Sequence, residues 1–356
     1  MSLEASSSKK PENITRRSAI ATTGTALTAL SVFGSPQAAR SDTTTIRYAT
    51  GGGIGPNETE TLIFLPYLEK NVLKNFGRAY ELQMTFTRGT PEAAQLLAAG
   101  QVDLATLSSA AFALSVIKDA VPGGLTIISD NFQEGHPGNA TNAFFVKADS
   151  SIKRVEDLRG KKIAVNAFGS AIDLTCRVVL RKHGLDPRND VEIVEIGFPN
   201  IGAAVRTGRV DAGCLVLPFM AIEEAKGGLR QLFSDADAFG PASVIFQVAS
   251  TNFLKAHPAA VRAFLADYVT GLQWYYNRRN RPRALEVVSE LTKSPIPVLD
   301  SYLMTSKDYY RNPNGCVFQN TIQTPIDAMV AEKFIPKSVD AAKYIDLSYL
   351  PHPCKV

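Results

Sequence analysis

Three serines, one arginine and two phenylalanines stand where a small molecule could be held. Ser108, Ser109 and Ser170 fall at predicted helix starts. There, backbone N–H groups without an intrahelical partner and the helix dipole favour an anion by roughly 0.3–1 kcal/mol, rising to about 2 kcal/mol with partial burial. Three such ends brought together would bind an anion with no metal or cofactor. Arg88 is the only charged side chain at the carboxyl end of a predicted strand in the N-terminal part of the chain. As a clamping guanidinium it could add a charge-assisted pair worth about 1.5–3 kcal/mol; an ordinary surface arginine is the other reading. Phe168 and Phe219 offer apolar walls for an aromatic or hydrocarbon body, although Phe219 also suits core packing. The serines and nearby glycines also read as plain caps and turns. Polar helix ends beside aromatic walls suit an organic carboxylate or sulfonate better than a bare inorganic ion.

Covalent and metal chemistry find less to work with. The four histidines, His136, His183, His257 and His352, form no H-E-x-x-H arrangement, and neither a G-x-S-x-G elbow nor a phosphate-cradling G-x-x-x-x-G-K-[ST] is present. The glycine-rich run Gly51 to Gly55 follows a strand but lacks the last glycine spacing and the acidic strand end of a dinucleotide site. No catalytic residue, metal ligand or cofactor is therefore expected.

The elements that must position these residues alternate. Strands are predicted over Thr44 to Ala49, Leu82 to Thr87 and Val102 to Leu107, with helices over Glu58 to Phe76 and Pro91 to Ala99. A second series has strands at Lys161 to Asn166 and Val191 to Ile196 around a helix from Ala171 to His183. Such spacing implies an α/β fold of parallel βαβ units with ligand sites at the carboxyl ends of the strands. Between the series, Asp130 to Phe145 reads as a polar, Gly-rich crossing followed by an extended apolar piece, and Ser234 to Val248 does the same in reverse. Two crossings would make a bending hinge. From Pro258 the tail reads as helical, with Trp274, Tyr275 and Tyr276 packing there.

An internal repeat supports two similarly built halves. The stretch from Ala93 to Ala105 is echoed from Gly202 to Gly213, with Asp211 placed 108 positions after Asp103. Each copy is a helix stopped by Gly, an apolar residue, a turn Asp and a buried strand. Glycine supplies the left-handed helix end, and Asp makes local hydrogen bonds at the strand entry.

The N-terminus carries an address. Arg16 and Arg17 precede an uncharged run from Ala19 to Phe33, the pattern of a twin-arginine export signal over residues 1–39 and hence of a periplasmic protein. That run is too short and too rich in Ala and Thr to serve as a lasting membrane span. Of four cysteines, Cys316 and Cys354 in the Pro-rich tail are expected to pair, while Cys176 and Cys214 among apolar residues are expected to be buried thiols. The 38 basic and 34 acidic side chains include Lys9, Lys10, Arg16 and Arg17 against Glu4 and Glu12 in the signal, so its loss leaves 34 and 32. That balance gives no reason to expect nucleic acid as a partner, and a monomer is expected.

The stretch Ser151-Ile152-Lys153-Arg154-Val155-Glu156-Asp157-Leu158-Arg159-Gly160-Lys161-Lys162-Ile163-Ala164-Val165 resembles a motif of periplasmic binding proteins. With the two G-x-V-D copies and Lys255 to Val261, the chain is most similar to the nitrate, sulfonate, taurine and thiamine-precursor binding family of ABC transporters over residues 44 to 275. The resemblance implies a two-lobed periplasmic binding protein fold (type II), each lobe a mixed sheet flanked by helices, joined by a two-crossing hinge. Lobe 1 would comprise 44–135 and 245–356 with its helical tail, and lobe 2 would comprise 140–240. The family's ligand loops carry over onto Gly52 and Gly53, onto Arg88, Gly89 and Thr90, and onto Ser108 and Ser109. From the other lobe they carry onto Asn166, Ala167, Phe168, Gly169 and Ser170, onto Pro199 and Asn200, and onto Pro218 and Phe219. The implied partner is an ABC membrane permease. Gly51 to Gly55 departs from the sulfonate pattern and is similar to TRAP-transporter receptors, so such a receptor, a sensor partner or a pyrimidine-synthase-like enzyme of the same fold stay as alternatives.

Overall fold

The computed structural model describes residues 43–52, 68 and 72–354. The signal segment 1–39, Gly53 and most of the helix expected over 58–76 lie outside the described residues. The first series contains β1 (Thr44–Thr50), β2 (Tyr80–Phe86), α1 (Thr90–Ala98), β3 (Leu104–Leu107), α2 (Ser109–Ile117) and β4 (Leu125–Glu134). The second contains β5 (Ala143–Lys147), β6 (Lys162–Val165), α3 (Ala171–Lys182), β7 (Glu192–Glu195), α4 (Phe198–Arg206), β8 (Ala212–Leu215), α5 (Phe219–Lys226) and β9 (Leu229–Ser234). A short α6 (Asp235–Phe239) leads to β10 (Ala242–Ser250). The tail then forms α7 (Thr251–Ala256), α8 (Pro258–Tyr276), α9 (Arg281–Thr292), α10 (Ile296–Asp300) and α11 (Gln319–Ala331).

The repeat has a physical basis in two matched aspartates. The Asp103 amide donates to the Arg47 carbonyl at 2.8 Å, and its carboxylate accepts from the Arg47 amide at 3.0 Å. Asp211 does the same to Lys162, at 2.8 and 2.9 Å. Each aspartate thus stitches the entry of one strand, β3 or β8, to its parallel neighbour, at the middle of β1 and at the start of β6, fixing where parallel pairing begins. Two five-stranded mixed sheets result, ordered β2-β1-β3-β10-β4 and β7-β6-β8-β5-β9. In each, three parallel strands are completed by an antiparallel strand, β10 in one and β5 in the other, that arrives from the opposite sheet.

The crossings differ from the sequence expectation in one respect. Asp130 to Glu134 belongs to β4, not to a loop, and only residues 135–142 cross. Polar composition suggested a loop, but these residues are buried in a strand whose main chain is bonded on both sides. The Asp130 and Gln133 amides donate to the carbonyls of Gly315 and Tyr310, each at 2.8 Å, so a tail segment lies along the outer edge of β4. The two crossings also pack backbone against backbone. Gly135 has φ +74°, and a Cβ there would lie 2.2 Å from the Gly240 carbonyl oxygen. Only glycine fits.

The tail is anchored from within. Arg311, 2% exposed, bonds Asp308 at 2.9 Å, and Asp308 accepts from the Tyr275 hydroxyl at 2.8 Å. Tyr275 is buried and Trp274 half-buried in this packing. Cys316 and Cys354 are disulfide-bonded, and Cys176 and Cys214 are free and buried, as the sequence suggested. The bridged residues are 38 apart, and a loop of that length restricts the unfolded chain by about 4 kcal/mol in the chain-entropy account. Reduction is expected to lower stability by roughly 2–4 kcal/mol. Urea unfolding with and without reductant measures this, and curves that coincide would show that the bridge contributes nothing.

Candidate ligand cleft

A cleft of about 830 Å³ opens where the carboxyl ends of the parallel strands of the two sheets face each other. The first sheet contributes Gly52 after β1, Arg88 and Gly89 after β2, and Glu92 and Gln95 from α1. The second contributes Asn166 to Phe168 after β6, Glu195 and Pro199 to Asn200 around the start of α4, and Pro218 with Phe219 at the start of α5. Below it lies a smaller space of about 40 Å³ bordered by Gly52, Thr90, Asn142, Asn166, Ser170 and Tyr309.

Across the cleft the halves meet at Gly89. Asn166 donates from Nδ2 to the Arg88 carbonyl at 3.4 Å, while its Oδ1 accepts from Ser170 Oγ at 2.9 Å. A Cβ on Gly89 would lie 3.0 Å from Asn166 Nδ2 and 3.3 Å from the Ala167 methyl. Gly89 has φ 175°, an extended conformation open to any residue. Glycine is required here for clearance alone.

The expected residues do not all face the cleft. Ser109 lines a separate cavity beside the hinge, and Ser108, buried, spends its hydroxyl on the Ala111 amide and on Thr90 Oγ1 at 3.0 Å. Its helix start is a cap facing inward. Thr90 and Ser170 border only the lower space. Gly169, absent from both linings, donates its amide to Asp173 at 2.8 Å, and the Phe168 amide donates to Glu195 at 2.5 Å. The loop leading into α3 therefore already has two carboxylates on its N–H groups. Burial pushes the Asp173 carboxyl above its ordinary value in spite of Arg177 at 2.7 Å. Arg88 does reach the cleft, with its side chain 73% exposed and its Nε 3.3 Å from Glu92. Phe168 is 48% exposed, leaving apolar surface at the cleft that a ligand could cover.

Sequence reasoning missed several linings. Glu195 could have been found, since it ends a predicted strand as Arg88 does. Thr292, Lys293, Ser294 and Pro295, from the turn after α9, come from a distant tail and carry no local signal of their position. Tyr309 likewise reaches in from the tail, its hydroxyl accepting from the Leu217 amide at 2.9 Å and donating to Asn142 Oδ1 at 2.6 Å. Cleft cations are thus Arg88 and Lys293, set against Glu92 and Glu195.

A family model described as NMT1/THI5 like matches residues 79–281. The chain is 25% identical over 209 residues to an aliphatic sulfonates-binding protein of Escherichia coli, covering 59% of this chain and 64% of that one. It is 23% identical over 203 residues to the nitrate/nitrite binding protein NrtA of Synechococcus elongatus, covering 54% and 43%. The chain therefore matches less than two thirds of the length of these curated relatives. Among solved structures, the alkanesulfonate-binding protein SsuA from Xanthomonas axonopodis pv. citri, bound to MOPS, superposes with TM-score 0.66 at 19% identity over 85% of this chain and 98% of that one. The periplasmic nitrate-binding protein NrtA from Synechocystis superposes with TM-score 0.66 at 13% identity over 86% and 87%. The fold is the two-lobed one of periplasmic binding proteins.

The clearance at Gly89 can be tested directly. Gly89→Ala adds a methyl group with no backbone penalty and forces Asn166 or the facing loop to retreat. Small-angle scattering is expected to show a larger radius of gyration for the variant, with a thermal midpoint within about 3 °C of the parent. An unchanged radius would mean that the loops yield and the lobes do not.

Proposed function

Because the chain belongs to the NMT1/THI5-like family, we propose that it is the extracytoplasmic solute-binding component of an ABC importer, carrying a small organic anion to a membrane permease. The ligand is a sulfonate or carboxylate with an aromatic or hydrocarbon body. The observation that carries this reading is the cleft itself: about 830 Å³, walled by loops from both sheets, with Phe168, Phe198 and Phe219 beside Arg88 and Lys293. Its size suits a small molecule. The lobes divide at 44–135 with 245–356 and at 140–240, and the protein works in the periplasm after export through the twin-arginine route.

In this reading the acid group of the ligand sits between Arg88 and Lys293, and its body stacks on Phe168. Covering that exposed ring contributes apolar burial that a bare inorganic ion cannot supply. Glu92 and Glu195 set the opposite limit. A second negative group on the ligand would meet them, so a single anionic end with an apolar or hydrogen-donating remainder fits best. Shifting an open-to-closed ratio from 1:99 to 99:1 takes about 5.5 kcal/mol of differential affinity. Several hydrogen bonds, one ion pair and a buried ring reach that scale.

Thermal-shift screening of the mature protein against aliphatic and aromatic sulfonates, carboxylates, nitrate and aminopyrimidines tests the reading. An organic sulfonate or carboxylate at a hundredfold excess over its Kd is expected to raise the midpoint by about 4–8 °C, and nitrate by less. Stabilisation by aminopyrimidines alone would overturn the choice of ligand class. With the best hit, Arg88→Ala should weaken binding about 3–10-fold, since an exposed pair is worth about 1 kcal/mol. A loss below twofold would remove Arg88 from the site.

A further inference from the structure

Two buried acids in the hinge play no part in the cleft. Glu134 ends β4 where the first crossing begins, and Asp235 opens α6 where the second begins. They are 1% and 4% exposed. Asn142 is bonded to both carboxyl groups, and both line one small cavity. Two carboxylates have only acceptors, so a bond between them would require a proton. Glu134 Oε2 is otherwise engaged, accepting from Thr141 Oγ1 and from the Asn142 amide, each at 2.6 Å. Asp235 Oδ2 accepts from Asn142 Nδ2 at 3.5 Å. Glu134 Oε1, Asp235 Oδ1 and Ser109 Oγ are buried without a hydrogen-bond partner. All three residues line a cavity of about 20 Å³ with Thr175 and Ser243, and among the described residues no basic side chain borders it.

The surroundings do not neutralise the pair. Asp237, on α6, turns its carboxylate to the Ser234 amide and hydroxyl. Lys182, from α3, spends its ammonium on the Asp237 and Ala238 carbonyls. The Cys214 thiol of β8 adds no positive charge, its own ionisation being pushed up by burial. On β4, Asp130 accepts from Gln133 Nε2 at 2.5 Å, and Gln133 Oε1 meets His136 at 2.7 Å. Two ionised carboxylates so placed would repel with no counter-ion.

We propose that Glu134 and Asp235 hold one proton between the two hinge crossings, and that its loss loosens the hinge and changes the cleft. The path to the cleft is short. Asn142 contacts both acids and accepts from Tyr309, whose hydroxyl takes the Leu217 amide just before the Pro218 loop. The proton is the ligand of this second site, and its occupancy makes lobe movement sensitive to pH. The inference concerns the hinge alone and holds whatever solute the cleft takes.

The sign follows from linkage. Burial raises both acids, Asp235 to about 6 and Glu134 further. Near pH 4–6 the packed hinge keeps protons that an opened or unfolded chain has released, so the stabilisation is complete below about pH 4 and is lost as pH rises through 6 and beyond. Asp130, raised to about 7 by burial, titrates in the same range, and burial lowers His136. Asp130→Asn is therefore the background for the test. In it, the thermal midpoint and the ligand-free radius of gyration are followed from pH 5 to 9. The midpoint is expected to fall and the radius to grow with pH. Adding Glu134→Gln, whose amide donates to Asp235 permanently, should flatten both profiles. Parallel profiles in the two proteins, or a constant radius in the background, would overturn the proposal. Should the double variant not fold, infrared spectroscopy of the background at pH 7 decides: a carboxylic-acid C=O band supports the shared proton, and its absence refutes it.

Discussion

The rest of the molecule depends on two chain crossings that must run side by side with no room for side chains between them. Gly135 against Gly240 is the tightest point, and on either side the crossings continue as antiparallel ladders, β4 with β10 and β5 with β9. Each sheet therefore receives its antiparallel strand from the other half of the chain. Bending is confined to a few residues at the ends of stiff ladders, the condition for hinge motion between rigid bodies. Buried polar groups at such a junction must be partnered internally. Asn142, Glu134, Asp235 and Tyr309 form a network that does so in part, leaving one oxygen of each acid without a partner, and its Asn142 and Tyr309 border the smaller space beside the cleft.

Electrostatics in the cleft result from competition for backbone N–H groups. A helix start attracts any anion, and at α3 the nearest anions belong to the chain: Asp173 from the first turn and Glu195 from the neighbouring strand end. Covalent attachment gives them a high effective concentration that an external solute would have to displace. In the proposed reading the anchoring of a free acid group then falls to Arg88 and Lys293, the cations that line the cleft.

The fold was largely legible because its determinants are local. Alternating strands and helices, glycine helix ends and the two aspartates before β3 and β8 each act within a few residues, so sequence spacing reported them faithfully. The paired tail cysteines and the two buried thiols were readable from their neighbours for the same reason. Asp130 to Glu134 misled because a polar strand looks like a loop when its partners, at Tyr310 and Gly315, are distant in sequence. Residues that line the cleft were legible at strand ends, as with Arg88, Asn166 and Phe168. Ser108 and Ser109 show the limit, since a cap motif locates a helix start but not the direction it faces. Lys293 and Tyr309 reach the cleft by tertiary packing alone, which leaves no trace in nearby residues.

The tail segment that runs along β4 lies beyond the part of the chain matched by the family model. It holds the strand and the first crossing through main-chain bonds, from Asp130 to Gly315, Gln133 to Tyr310 and Ala140 to Asp308. Such bonds depend on the path of the peptide and hardly on which side chains it carries. Apart from Asp308, Tyr309 and Arg311, whose side chains are bonded, and Gly315 at its positive φ, the length of this segment would constrain it more than its residue types.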